Sequence, residues 1–303
     1  MRGFKAIRKP STQSQSQSQS QPQPQYEIAD ILNRLGDKLE DLGFNAWQLR
    51  TLFALKKCRT SALGGHIDAC DECGNISISY NSCRNRHCPK CQGRNREQWI
   101  ENRETELLPV PYFHVVFTLP EVLNKTALHE PKMLYDTLFE TAWETLQTFG
   151  KNKNLQMGMI AVLHTWGQNL SLHPHLHCIV PGGGVDENGA WKNIKNDGKF
   201  LFSVKALSKV FRAKFCEKLK ANLKDKFNEN QENEYGKIRQ SLWEKPWVVY
   251  AKKPFGSPKS VVEYLGRYTH KIAISNQRIR KIDAETVTFS YKDYRQKGIK
   301  KQM

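Results

Sequence analysis

Three histidines fall on alternate positions, His173, His175 and His177, in the apolar run LSLHPHLHCIV at residues 170–180, a third of the nine histidines in the chain. An extended strand sends alternate side chains to one face. His175 and His177 therefore point together, with Leu176 and Cys178 behind them. Two imidazoles on one strand face form half of a metal site. Pro174 is expected to end the strand, which leaves His173 outside it. The preceding run MGMIAVLHTW reads as a second strand, joined through the loop GQNLSLHP. If the two pair as a hairpin, His164 can reach the same metal. It ranks first as third ligand, ahead of Gln168, His173 and His114.

The second constellation is SPKSVVEYLGRYTHK, which reads as a helix with Ser257 as its N-cap and Pro258 in its first position. Tyr264 and Tyr268 are four apart and share a face. Val261 and Leu265 flank that face, so it turns toward the sheet. Tyrosines on an apolar stripe are ordinary core residues. A tyrosine is also a competent nucleophile toward phosphorus when a metal ion polarises the phosphate. With a phenol pKa of ~10 it needs such help at neutral pH. The helix alone leaves both readings open.

The third is CDECGNISISYNSCRNRHCPKCQ, which holds the pairs Cys70/Cys73 and Cys88/Cys91. Each C-x-x-C turn places two thiolates on one side, and two such turns complete a tetrahedral Zn²⁺ shell. Gly74 and Pro89 suit the turns. Cys83 and His87 lie in the same stretch and are expected to pack or to bind DNA, with ligand replacement or a second site as the alternative. Cys58, Cys178 and Cys216 are expected to be buried small hydrophobes. Arg84, Arg86, Lys90, Arg94 and Arg96 surround the knuckle, as in a zinc module that docks on nucleic acid. The competing reading is a ribbon that only stabilises the fold.

These groups need elements to hold them. Ile28, Ile31, Leu32, Leu35 and Leu39 recur at helical spacing, and a second helix carries Trp47, Leu49, Leu52, Phe53 and Leu55. RNREQWIENRETELL reads as a helix ending before Pro109, YFHVVFTL as a strand, residues 125–150 and 205–241 as helical, and WVVYAKK and ETVTFSYKDY as further strands. Mixed helices and adjacent strands predict an α+β fold with a largely antiparallel sheet. The expected organisation is a disordered Ser/Gln-rich tail at 1–25, a helical and zinc-binding DNA-docking domain at 26–108, and a catalytic domain at 109–303. Lys and Arg number 47 against 30 Asp and Glu, a net charge of +17, which favours a polyanionic partner, nucleic acid before an acidic membrane surface. No apolar run reaches the ~18 residues of a membrane span, and the basic N-terminus lacks the apolar core of a signal peptide. The expected compartment is therefore cytoplasmic, where thiols stay reduced and cysteines serve as metal ligands or free thiols.

Taken together, SCRNRHCPKCQ, PYFHVVFTLP, HTWGQ…HPHLHC and YLGRY resemble the two-tyrosine rolling-circle transposases of the insertion sequence ninety-one type, over residues from about 27 to 303. The resemblance implies a zinc-binding N-terminal domain and an HUH endonuclease domain, an antiparallel sheet with the histidine pair on a central strand and the tyrosine helix against it. It implies that His175 and His177, with His164, hold a catalytic Mg²⁺ or Mn²⁺, and that Tyr264 and Tyr268 are nucleophiles. Arg267 and Lys271 beside them become DNA-contacting candidates. The implied reaction cuts single-stranded DNA at element ends and target, leaving a 5′-phosphotyrosine and a free 3′-OH, and then rejoins it. Members of the family continue past SYKDYRQKGIKKQM, so the catalytic domain of this chain is expected to be incomplete at its C-terminus. The alternatives are a shortened, inactive DNA-binding relict and a plasmid or phage rolling-circle initiator.

Overall fold

The computed structural model describes residues 24–194, 201–223, 229–252, 255, 258–269, 272–293, 296 and 298–303, with side chains for most of them. Helices α1 (Ile28–Leu35), α2 (Lys38–Asp41) and α3 (Ala46–Lys57) open the chain. Asn45 and Gln48 cap α3 reciprocally, each side chain accepting the other's backbone N–H. A hairpin follows, β1 (Gly65–Ala69) and β2 (Ile76–Tyr80), and then α4 (Pro89–Glu104), which starts with proline in its first turn. Next come β3 (Tyr112–Thr118), α5 (Asn124–His129), α6 (Pro131–Lys151), β4 (Gln156–Met157), β5 (Ile160–Trp166), β6 (Leu172–Pro181), β7 (Gly183–Val185) and β8 (Trp191–Asn193). The chain continues with α7 (Val204–Leu223), α8 (Glu229–Glu244), β9 (Val249–Lys252), α9 (Pro258–Thr269), β10 (Ile279–Ile282), β11 (Val287–Asp293) and β12 (Ile299–Gln302).

The central sheet has the order β5-β6-β3-β9, and every pairing in it is antiparallel, so the fold is α+β as expected. Strand alternation gives this sheet two different faces. One face carries Phe113, Val115, Phe117, Leu176, Cys178 and Val180 into the main core. Against it lie α6, with Leu134, Leu138, Ala142 and Leu146, and α7, with Leu207, Phe211, Phe215 and Leu219, all fully buried at a four-residue spacing. The opposite face carries Tyr112, Val162 and Ile179, which cluster with Val261 and Tyr264 of α9 and with Trp99 of α4.

The strand holding the histidines is longer than expected. β6 begins at Leu172 and runs through Pro174. The β5–β6 register shifts between His164 and Trp166, so Pro174 lies at an irregularity where a missing N–H breaks no ladder bond. Its carbonyl still accepts from the Leu119 N–H at 3.1 Å. The charged stretch expected to be helical holds α7 and α8. The three-stranded sheet β10-β11-β12 is tied back to the rest by Arg34, which donates to the carbonyls of Ile282 and Asp283, and by Arg278, which donates to Gln168, Ala273 and Ser290. Ser257 and Lys271 lie outside the described residues. Among the described residues no helix is long and apolar enough to cross a membrane.

Candidate functional site

The hairpin of β5 and β6 sets His164 directly opposite His175, and His177 falls opposite Val162 on one side and Val116 on the other. The strand period puts all three imidazoles on the face that α9 covers. Their ring centroids are 5.4 Å apart for His164 and His175, 4.7 Å for His164 and His177, and 4.9 Å for His175 and His177. One ring nitrogen of each lies within 4.8 Å of the others. His164 and His177 are buried. The Nδ1–H of His175 donates to the His173 carbonyl at 2.6 Å, which leaves Nε2 for a metal. Three converging imidazoles, buried in an otherwise apolar sheet face, fit a divalent cation with coordination positions to spare. Of the four side chains ranked for the third position, it is His164 that joins the pair.

His114 takes a different place. It lies on β3, opposite Ile179 and so one row from His177. Its ring stacks on His177 with a 5.1 Å centroid separation, and His114 Nε2 is 2.9 Å from His177 Nδ1. On its other side His114 Nδ1 is 3.3 Å from the hydroxyl of Tyr264, with the rings edge to face at 4.9 Å. Tyr264 is thus one imidazole away from the histidine group. Phe255 packs tilted against its ring, with centroids 5.0 Å apart. Tyr268 falls one turn further along α9, and its side chain lies outside those described, as do those of Arg94 and Arg267.

The cysteine cluster differs from the sequence expectation. The four sulfurs that converge belong to Cys58, Cys83, Cys88 and Cys91. Cys70 and Cys73, expected to pair with Cys88 and Cys91, are exposed in the turn between β1 and β2. The reason is the hairpin. Its five-residue strands hold the turn ~16 Å from their base, and the base is where Arg59 donates to Asn81 and Asn81 to Gly64. Cys58 and Cys83 flank that base. The Cys58–Cys91 and Cys83–Cys91 sulfurs are 3.6 Å and 3.7 Å apart. A tetrahedron with Zn–S bonds of ~2.3 Å has edges of ~3.8 Å, so these thiols fit a zinc ion closely. Burial pushes the Cys83 thiol up to about 11 and raises that of Cys88, so a cation at the centre would favour the thiolate form of both. A sequence signal for the correct set existed. Cys58 precedes β1 and Cys83 follows β2, so the two stand on either side of the hairpin base.

The arginines and lysine around this module divide by position. Arg84 and Arg86 are exposed. Lys90 is half-buried, pairs with Glu27 and reaches the Cys58 carbonyl. Arg96 is packed between α4 and α9: a Cβ added to Gly266 of α9 would stand 3.2 Å from its Cγ and 2.8 Å from Ile100. The glycine between the two tyrosines therefore lets α4 and α9 approach closely. Because Cys88 caps α4 and Cys91 lies in its first turn, one helix runs from the four-thiol centre to the tyrosine helix.

Fold and site together define an α+β protein in which a cluster of four cysteines is joined, through α4, to a tyrosine-bearing helix that covers a group of three converging histidines. Comparison with known proteins gives the class a family. Residues 31–119 match the transposase zinc-binding domain of the IS91 type, and residues 158–303 match the family described as "Putative transposase". The chain is 44% identical over 282 residues to "Putative transposase y4qJ" of Sinorhizobium fredii, covering 89% of this chain and 71% of the relative. It is 29% identical over 267 residues to the transposase for insertion sequence element IS801 of Pseudomonas savastanoi pv. phaseolicola, covering 85% of this chain and 63% of that relative. The chain belongs to the IS91-type transposases. Among solved structures, the conjugative relaxase TrwC in complex with mutant OriT DNA is similar over 64% of this chain and 65% of its own, at 12% identity and a TM-score of 0.29. A metal-bound TrwC–OriT complex is similar over 80% and 94% respectively, at 11% identity and a TM-score of 0.28.

Proposed function

We propose that this DNA transposase cuts and rejoins single-stranded DNA at element ends and target through a tyrosine-linked intermediate, with His164, His175 and His177 holding the catalytic metal. The observation that carries the reading is the convergence of these histidines on one sheet face, with Tyr264 linked to them through His114. A divalent cation there, Mg²⁺ or Mn²⁺, supplies positive charge to a DNA phosphate. The phenolic oxygen of one tyrosine forms the new bond to phosphorus, and the bond to the 3′-oxygen breaks. The phenolic proton passes to solvent and the departing 3′-oxygen takes one up, so the products are a 5′-phosphotyrosine and a free 3′-OH. The phosphodiester energy is retained in the protein link, so rejoining needs no nucleotide. The second tyrosine, one turn away, allows a second cut from the same centre.

The hydrogen-bond chain suits this role. A metal-facing Nε2 on His177 requires its proton on Nδ1, which then donates to His114 Nε2. His114 carries its own proton on Nδ1, toward the Tyr264 oxygen. A donor aimed at that oxygen favours the phenolate as it forms. The four-thiol module, with Arg84 and Arg86 exposed on it, is read as a DNA-docking surface, where such side chains contact phosphates and set register.

The test is covalent capture. A single-stranded oligonucleotide carrying an element end, incubated with the chain and Mg²⁺ or Mn²⁺, is expected to give a denaturant-stable protein–DNA adduct. Tyr264→Phe and Tyr268→Phe are each expected to lose one of the two cleavage events, and the double variant to form no adduct. Unchanged adduct in the double variant would assign both tyrosines to packing alone. No adduct from the wild-type chain would overturn the reading in favour of a DNA-binding protein without the reaction.

A further inference from the structure

Cys70 and Cys73 are left over from the zinc centre, yet their local geometry is that of a metal-binding knuckle. The Cys70 N–H donates to the Asn75 carbonyl at 2.9 Å, and the Gly74 N–H to the Cys70 carbonyl at 2.8 Å. Gly74 adopts φ +66°, the left-handed conformation that lets the chain turn back under the two sulfurs. Such a turn supplies two thiolates on one side, half of a tetrahedral shell.

This chain has no other thiol with which to complete it. Of its eight cysteines, four form the centre at the hairpin base, and Cys178 and Cys216 are buried in the main core. Among the described residues, neither group of converging ligands includes Cys70 or Cys73. The hairpin that carries the knuckle has a second unusual property. The β1–β2 register places Gly65, Ile67 and Ala69 opposite Tyr80, Ile78 and Ile76, so one face is wholly apolar. His66, Asp68, Ser77 and Ser79 occupy the other face. Ile67, Ile76 and Ile78 are 69%, 66% and 62% exposed. A two-stranded hairpin with a bare apolar face is marginal in water.

We propose that Cys70 and Cys73 form half of a second zinc site, which a second copy of this chain completes with its own Cys70 and Cys73, the two isoleucine faces covering one another. A twofold axis through the ion satisfies both requirements at once, since the same patch on each copy supplies two thiolates and one apolar face.

The experiment uses the full chain, purified without chelator, with its mass read by light scattering and its zinc by elemental analysis. The expected result is a dimer holding about 1.5 zinc ions per chain, one ion in each base centre and one shared. The double variant Cys70→Ser/Cys73→Ser is expected to be a monomer with about one zinc per chain. Its circular dichroism should be unchanged, because Cys70 and Cys73 are exposed in the turn and fill no part of a core. Ile78→Asp is expected to weaken the dimer while leaving the base zinc in place. A wild-type protein with about one zinc per chain, a monomer with about two, or a dimer that survives the serine pair would each overturn the proposal. A disulfide between Cys70 and Cys73, seen by mass spectrometry before any reductant is added, would do the same. None of these outcomes depends on whether the chain forms a DNA adduct, so strand transfer and dimerisation stand or fall separately.

Discussion

His114 and Tyr264 show how much one side chain's surroundings decide. A lone histidine on an apolar strand is usually a core residue, and His114 is indeed buried. Its two nitrogens nevertheless join a metal-ligand candidate to a phenol. Replacing it with alanine removes the partner that orients His177, and outer-sphere partners of this kind are worth ~10–100-fold in metal affinity. His114→Ala is therefore expected to raise the Mn²⁺ concentration needed for adduct formation by about that factor, as read from a metal titration, while His114→Gln recovers part of the loss. His175→Ala is expected to abolish nicking and leave DNA affinity within about twofold, because phosphate contacts rather than the metal supply most affinity. Joint loss of both in gel-shift and nicking assays would assign His175 a structural role. Tyr264→Phe keeps the ring against Phe255 but removes the hydroxyl that faces the buried His114 ring, so stability should fall by ~1–3 kcal/mol.

At the scale of elements, α4 connects the four-thiol cluster, which ends at Cys91, to a helix far along the sequence at Gly266. It begins in the four-thiol cluster and ends against α9 at Gly266. Gly266→Val inserts atoms where even a Cβ meets Ile100 at 2.8 Å, so the helices must separate. The expected cost is ~1–3 kcal/mol of stability. Adduct yield should fall more than DNA affinity, because the tyrosine helix is what moves. Equal losses in both would point to general unfolding. The same element explains why the cysteines are not equivalent. Cys58→Ser is expected to release the zinc at the hairpin base and to expose α4 to hydrogen exchange, whereas Cys70→Ser leaves that helix protected. Equal exchange in the two variants would refute the assignment of Cys58, Cys83, Cys88 and Cys91 as one centre.

Across the whole molecule the net charge of +17 sets the terms of DNA binding. Neutralising six to ten phosphates weakens binding by ~10³–10⁵-fold between ~50 and ~200 mM salt. A steep slope of that order is expected for this chain, and a flat one would remove nucleic acid as its principal partner. The two metal centres also differ in kind. A chelator that strips the thiol-bound zinc takes away folding energy as well as an ion. After such stripping, Mg²⁺ or Mn²⁺ alone is not expected to restore adduct formation, while zinc followed by Mg²⁺ is. Full recovery with Mg²⁺ alone would show that the thiol centre does not support α9.

Much of the site was legible in local pattern. The two-residue period of a strand places His175 and His177 on one face whatever the fold, and a short loop between two apolar runs brings His164 opposite them. The helical period likewise places Tyr264 and Tyr268 on one side of α9. Each of these relations spans one element or one hairpin, so sequence spacing and backbone geometry determine it. The remainder depends on where separate elements meet. Two C-x-x-C pairs at a ribbon-like spacing pointed to one zinc set, yet hairpin length carried Cys70 and Cys73 away and brought in Cys58 and Cys83. His114 became the link between His177 and Tyr264 because β3 inserts between β6 and β9 while α9 crosses the same face. Strand order and helix docking are settled by burying one face of a sheet against α6 and α7, a collective packing result that no run of neighbouring residues encodes.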